Sequence, residues 1–246
     1  MKTTIIVPTY NEAENLPKLV SALLSLPVPD LSFLVVDDNS PDGTGKMAED
    51  FKLAHPGQVD VLHRAGKMGL GTAYLEGFKK AIEDGAEAVL QMDCDFSHPP
   101  EKIPEMVANL PGWDGVIGSR YVKGGSVDLN WPLWRKGLSA WGNFYARTIL
   151  GLKNRDVTGG FRLWKRETLL AMPLDRIRSN GYVFQVELCY VATRLGLRFK
   201  EVPIYFADRR WGTSKMNRRI MMEAALRVWQ LPGAYRDLNS SGGSGS

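Results

Sequence analysis

As far as Arg120 the chain alternates short apolar runs with amphipathic segments, and that rhythm restricts it to βαβ units around a mainly parallel sheet. Strands are expected over Thr3–Pro8, Leu31–Asp38, Val59–Arg64, Ala86–Asp93 and Asp114–Arg120. Helices fit between them at Glu14–Leu26, Gly43–Ala54, Gly69–Asp84 and Pro100–Leu110. The third carries Leu70, Ala73, Tyr74, Gly77, Phe78 and Ala81 at helical spacing, a face suited to packing on the sheet. Beyond Arg120 the rhythm changes. A Gly- and Trp-rich loop, Tyr121–Trp134, leads to a helix over Arg135–Leu150. "RDVTGGFRLWKRETL" then reads as a short strand and a helix, followed by a helix near Phe184–Leu195, a strand in "LRFKEVPIYF", a basic loop and a last helix from Ser214 to about Leu231. A length of 246 residues suits one α/β domain over residues 1–236, with residues 237–246 as a flexible tail outside the fold.

Four polar clusters fall at the C-terminal ends of the first, second, fourth and fifth strands: "PTYNE", "DDNSPDGT", "DCD" and "GSR". In an open parallel sheet those ends share one edge, where ligands bind. Any one cluster has a bland reading; four at one edge make a site. In the first, Pro8 is expected to stop the strand, and Tyr10 either stacks on a base or packs locally. Glu12 either accepts from ribose hydroxyls or, like Asn11, caps the next helix. Asp37 or Asp38 can accept from base or ribose, although "NSPDGT" is also good turn chemistry.

No G-x-G-x-x-G follows the first strand and no G-x-x-x-x-G-K-[ST] occurs, so neither Gly-rich phosphate cradle is present. A diphosphate in such a site needs another source of positive charge, and Mg2+ or Mn2+ on hard oxygen ligands supplies it. Asp93 and Asp95 are the candidate metal ligands, with Cys94 between them. Arginine suits phosphate because its fork donates two parallel hydrogen bonds. Arg120 ends the fifth strand, Arg135 follows in "NWPLWRKGLSAWGN", and a third basic group stands in "DRRWGTSK".

Between Gly196 and Arg236 basic residues far outnumber the acids Glu201, Asp208 and Glu223, a bias that suits a phosphate ligand or an anionic membrane. Arginines near Trp131, Trp134, Trp141 and Trp211 also admit nucleic acid. A net charge of only +4 and the acidic strand tips argue against that polyanion. Two cysteines, Cys94 and Cys189, form no disulfide framework and fit a reducing, cytoplasmic setting. The N-terminus enters a strand pattern at once, so no signal peptide is expected. No apolar run reaches the roughly 20 residues of a spanning helix, so any membrane association is expected to be peripheral. The last helix, with Ile220, Met221, Ala224, Ala225, Val228 and Trp229 on one face, either packs on the core or lies at that interface.

Taken together, "IIVPTYNEAENL", "LVVDDNSPDGTG", "GLGTAYLEGFKKA", "QMDCDFSHPPEKIPEM", "GSRYVKGG", "WPLWRKGLS" and "DRRWGTSKM" resemble family-2 glycosyltransferases of the GT-A fold, within them the polyprenyl-phosphate (dolichyl-phosphate) mannose synthases. The resemblance implies metal-dependent, inverting transfer of mannose from GDP-mannose to the phosphate of a polyprenol, with Mg2+ or Mn2+. The same fold using UDP-glucose is the near alternative, and a non-catalytic sugar-nucleotide-binding protein the alternative of another class. It implies a nucleotide-sugar half over residues 1–120 and an acceptor half over residues 121–236. Pro8, Tyr10, Glu12, Val36 and Asp38 match nucleotide-contacting positions, and Asp93, Cys94 and Asp95 the acidic motif. Arg209 and Lys215 match a basic loop over the donor diphosphate, and Arg120, Arg135 and Ser139 the acceptor-phosphate positions. Asp95, Arg120, Arg135 and Lys215 are the residues on which catalysis would then depend. Ser97 stands where some members place a Gln ligand, and the membrane helices of some members have no counterpart here.

Overall fold

The structure is a computed structural model and describes residues 1–208 and 218–238. Its strands, in chain order, are β1 (Thr3–Thr9), β2 (Leu31–Asp37), β3 (Val59–His63), β4 (Ala88–Gln91), β5 (Gly115–Ser119), β6 (Ser126–Val127), β7 (Arg162–Lys165), β8 (Phe199–Pro203) and β9 (Tyr205–Phe206). The α-helices are α1 (Leu16–Leu24), α2 (Thr44–Ala54), α3 (Leu70–Glu83), α4 (Ile103–Ala108), α5 (Leu133–Leu150), α6 (Arg166–Ala171), α7 (Gly181–Arg194) and α8 (Arg218–Ala234). Seven strands form one sheet in the order β3-β2-β1-β4-β7-β5-β8, and only β7 runs antiparallel to its neighbours. Because β4 and β5 are both antiparallel to β7, they point the same way as β1 and β2. All four polar clusters therefore reach the same edge, the mainly parallel GT-A arrangement expected.

Both faces of the sheet are covered, as a parallel sheet requires. Ile6, Leu34, Val36, Val89 and Ile117 face the layer of α3, α5, α7 and α8. Ile5, Val7, Phe33, Val35 and Leu90 face α1, α2 and α4. Gly77 on α3 shows how close the layers lie: a Cβ there would stand 2.5 Å from Ile6 Cγ2. Leu70, expected on the packed face, is the first residue of α3 and stands exposed.

Several local expectations are corrected. Pro8 does not stop β1; the strand continues to Thr9, with Pro8 opposite Val36. Strand alternation puts Pro8 on the same side as Ile6, whose carbonyl accepts from Met92 N, and β4 has ended there at Gln91. The missing N–H thus breaks no ladder bond. Neither Asn11 nor Glu12 caps α1, which begins after Asn15. The fourth strand closes at Gln91, so Asp93 and Asp95 stand on the loop beyond it and are freed from strand alternation. In the Gly- and Trp-rich segment, β6 pairs in parallel with β9 as a separate two-stranded ribbon, and α5 starts two residues earlier than expected.

Candidate active site

At the tip of β2 the two neighbouring acids have different employment. Asp37 is buried and accepts from Thr9 Oγ1 at 3.0 Å and from the Ser40 amide and hydroxyl at 3.0 and 2.6 Å, so it shapes the turn. Asp38 pairs with the buried guanidinium of Arg64, which also donates to Glu76 and Thr72. Burial pushes the Asp38 carboxyl up, and Arg64 pulls against that shift. Val36, one residue before the pair, is fully buried in β2. At the tip of β1, Glu12 Oε2 accepts from Asn15 Nδ2 at 2.7 Å. The Tyr10 ring carries Lys67 Nζ 4.0 Å from its centroid. Arg64 and Lys67 come from the segment between β3 and α3, which sequence reasoning passed over; their basic character beside "GLGTA" was the available signal.

The β4 tip is the most enclosed. Tyr74 Oη, from α3, donates to Asp93 Oδ1 at 2.8 Å, and burial with Asp93 alongside pushes the Tyr74 phenol well up. The Ser97 amide donates to Asp95 Oδ1 at 3.0 Å. Cys94 is buried, its thiol pushed up by burial, so it remains a thiol and spaces the two acids. Ser97 contributes its backbone, and its own side chain is buried. His98 was not foreseen. Its Nδ1 accepts from the Asp93 amide at 3.0 Å, its ring stacks on Phe161 at 5.1 Å, and burial holds the imidazole below its ordinary value. A neutral ring protonated on Nε2 satisfies that geometry. It fixes the backbone of the acidic motif.

Among the described residues no three His, Cys, Asp or Glu side chains cluster closely enough to hold a metal by themselves. Two carboxylates on the loop beyond β4, Asp93 accepting from Tyr74 and Asp95 from the Ser97 amide, fit a divalent ion that takes its remaining ligands from substrate phosphate and water. The residues present therefore fit Mg2+ or Mn2+.

Beside the β4 tip opens a cavity of about 220 Å3. Its walls are largely apolar, built by Trp131, Leu138, Tyr145 and Phe206 with residues of α7 and α8, and Arg120, Arg135 and Ser139 all line it. Phe206 joins the two regions, 5.7 Å from His98, 5.8 Å from Trp131 and 5.3 Å from the Arg120 guanidinium. The two arginines are held differently. Arg120 forms a buried fork with Asp156, Nε and Nη2 each at 2.7 Å, and Nη2 also reaches Thr158. Burial would lower the Arg120 guanidinium, but Asp156 outweighs it and keeps the charge in place. Burial would likewise raise Asp156, and the Arg120 charge overrides it, leaving the carboxyl below the usual range. Arg135 is half-buried, lies 3.8 Å from the Trp131 ring centroid, and offers one nitrogen to both Asp208 oxygens at 3.1 and 3.2 Å. Ser139 Oγ shares a 2.8 Å hydrogen bond with Tyr121 Oη.

Asp156 was also missed. Its loop is pinned by Asn143, which binds Arg155 O and Val157 N, and by Glu201, which accepts from the Arg155 and Asp156 amides. The fully buried Arg162 donates to the carbonyls of Val157, Gly159 and Gln185. Arg209 and Lys215, expected over the donor diphosphate, lie outside the described residues, as do the side chains of Ile220 and Met221. Of the described part of α8, Val228 and Leu231 are buried while Leu226 and Trp229 are exposed, so the helix both packs on the core and shows apolar surface.

A mainly parallel sheet with acidic tips thus lies beside a cavity that two arginines line. The chain belongs to the family described as Glycosyl transferase family 2, which it matches over residues 4–171. It is 45% identical over 242 residues to undecaprenyl-phosphate mannosyltransferase of Micrococcus luteus, covering 98% of both chains. It is 43% identical over 235 residues to polyprenol monophosphomannose synthase of Mycolicibacterium smegmatis, covering 94% of this chain and 88% of that one. In fold it is similar to glucosyl-3-phosphoglycerate synthase of Mycobacterium tuberculosis solved with Mn2+, UDP and glucosyl-3-phosphoglycerate, with a TM-score of 0.65 at 18% identity over 98% of this chain and 82% of that one. The same enzyme solved with Mg2+ and UDP gives a TM-score of 0.64 at 19% identity, covering 98% and 81%.

Proposed function

We propose that the protein transfers mannose from GDP-mannose to the phosphate of a polyprenyl phosphate, with inversion and with Mg2+ or Mn2+. The observation that carries this reading is the contact of two unlike regions through Phe206: acidic strand tips on one side, an apolar cavity with two arginines on the other. The names of the curated relatives, mannosyltransferases acting on undecaprenyl phosphate or polyprenol, support the acceptor and the sugar. Pro8, Tyr10, Glu12, Val36 and Asp38 frame the nucleoside. A carboxylate at Asp38 suits guanine, which can offer adjacent N–H donors. Asp93 and Asp95 would hold the divalent ion, and the chemistry such an ion supplies is neutralisation of charge developing on the leaving nucleoside diphosphate.

The chain's own residues then have positioning to do. A phosphate monoester has a second pKa of about 6, so near neutral pH its attacking oxygen is already deprotonated. No side chain has to remove a proton, and the catalytic gain lies in aiming that oxygen at the anomeric carbon. Arg120, immobilised by Asp156, and Arg135, with Ser139 beside it, would hold the acceptor phosphate. Arg209 and Lys215 are assigned to the donor diphosphate on the motif alone.

About 220 Å3 accommodates the phosphate-bearing end of a polyprenol and not the whole chain, so the remainder must leave the protein. Beside the cavity, α5 exposes Leu133, Trp134, Trp141 and Phe144, and α8 exposes Leu226 and Trp229. Trp141 stacks on the cavity-lining Tyr145, whose hydroxyl accepts from Trp229 Nε1 at 2.8 Å, so this apolar surface is continuous with the cavity wall. Aromatic side chains of this kind suit a bilayer interface. The association proposed is peripheral, at the cytoplasmic face, and rests on this exposed aromatic surface; among the described residues no helix is long and apolar enough to cross a membrane. The test is a transfer assay offering labelled GDP-mannose and UDP-glucose to short polyprenyl phosphates with Mn2+ or with chelator. Chelator-sensitive transfer from GDP-mannose is expected. Transfer from UDP-glucose alone would replace the donor, and nucleotide binding without transfer would leave a binding protein.

A further inference from the structure

The carboxylate of Asp208 sits where an anion is wanted. It lines the same cavity as Arg120, Arg135 and Ser139, and both of its oxygens accept from Arg135 Nη1. It is also placed from behind, since the β6–β9 ribbon brings Asp128 and Asp208 together and the Asp208 amide donates to Asp128 Oδ2 at 2.8 Å. The two arginine pairs of the cavity differ in kind. Arg120 and Asp156 form a two-nitrogen fork at 2.7 Å, both side chains buried. Arg135 and Asp208 share a single nitrogen at 3.1 and 3.2 Å, with side-chain exposures of 27% and 44%. The first is a fixture; the second is a contact that a stronger anion can displace.

We propose that Asp208 is an internal competitor for the acceptor phosphate, occupying Arg135 until a phosphate monoester takes its place and returning to Arg135 when the product leaves. This rests on the reading of the cavity as the acceptor-phosphate site. The charges on each side of the transfer suit such a device. The bond formed joins a phosphate oxygen to the anomeric carbon, and the bond broken joins that carbon to the diphosphate, whose oxygen keeps the electron pair. The acceptor thus enters as a dianion near neutral pH and ends as a diester with one negative charge. The departing nucleoside diphosphate gains the charge that the acceptor loses. A monoanion holds Arg135 less firmly than a dianion, and a carboxylate fixed alongside helps it go.

A merely structural contact and a competitor predict opposite signs. If Asp208 only braced Arg135, its removal would loosen the arginine and weaken binding. As a competitor, its removal strengthens binding. In the full chain, Asp208→Asn should lower both the acceptor KM and the inhibition constant of added lipid product by roughly two- to fivefold, the range of a part-exposed ion pair. Asp208→Ser should do the same, Asp208→Glu should stay near wild type, and in an Arg135→Ala background Asp208→Asn should change neither constant. Weaker or unchanged binding in both charge-removing variants overturns the inference and leaves the acceptor reading standing. Absence of wild-type transfer to any polyprenyl phosphate overturns the acceptor reading, and this inference with it.

Discussion

The strand tips and the cavity beside them handle charge in opposite ways. At the tips the acids are engaged separately: Asp93 accepts from a phenol, Asp95 from a backbone amide, and Asp38 meets a guanidinium. In the cavity each arginine already has a carboxylate, Asp156 for Arg120 and Asp208 for Arg135, within apolar walls. Two carboxylates set close together beyond one strand end suit a divalent ion that shares its ligands with a substrate phosphate. A site whose cations are already paired has to exchange partners to take an anion. The contrast teaches where each half of the proposed reaction would draw its affinity: from a metal at the tips, from displaceable ion pairs in the cavity.

The sharpest way to break the contrast is at the tips. Asp95→Ala should lower transfer by more than about a hundredfold, since even groups that only support metal ligands contribute 10–100-fold. Mn2+-dependent nucleotide binding, measured calorimetrically, should vanish with it. Retained metal-dependent binding would move the ion elsewhere.

In the cavity, Arg120→Ala strips the buried Asp156 of its counter-charge and should lower stability by about 3–5 kcal/mol in urea unfolding near neutral pH. The pH dependence follows from the direction of the Asp156 shift. Its carboxyl is held below the ordinary 3.8, so the stability it contributes is present in full above that value and lost as pH falls below it. The deficit of Arg120→Ala should therefore shrink in acid. A pH-independent deficit would show that Arg120 supports the fold by packing and not by charge.

These pairings mark the limit of what the sequence tells. The four polar tips were legible because a βαβ rhythm fixes which strand ends share an edge, and Asp93 and Asp95 because acids beyond an apolar run stand out. The pairing of Arg120 with Asp156, 36 residues apart, comes from the strand order and the Asn143, Glu201 and Arg162 contacts around the loop. No local pattern encodes it. His98 stood in plain view, yet its use as an acceptor for the Asp93 amide depends on the turn after β4. Pro8 misled for the related reason that a proline ends a strand only where a neighbour needs its N–H.

A smaller effect sharpens the tips. Arg64→Met removes the opposing charge from Asp38, so burial should push that carboxyl further up and weaken nucleotide binding by roughly tenfold, the size expected for a supporting group. Fluorescent nucleotide titration would measure it. The smallest change is expected at the outer rim. Trp134→Ser with Phe144→Ser should reduce flotation with anionic vesicles severalfold while leaving the melting temperature near wild type, because both side chains are mostly exposed. Unchanged flotation would remove α5 from the membrane-facing surface.

The central claim, a donor at the strand tips and an acceptor phosphate in the adjoining cavity, is tested most directly by a crystal structure with GDP, Mn2+ and a short polyprenyl phosphate. The account predicts Mn2+ on Asp93 and Asp95 with the diphosphate. It predicts the lipid phosphate hydrogen-bonded to Arg135, with Asp208 turned away and the prenyl chain passing Tyr145. A lipid phosphate bound outside the cavity, or a nucleotide away from the tips of β1 and β2, would contradict it.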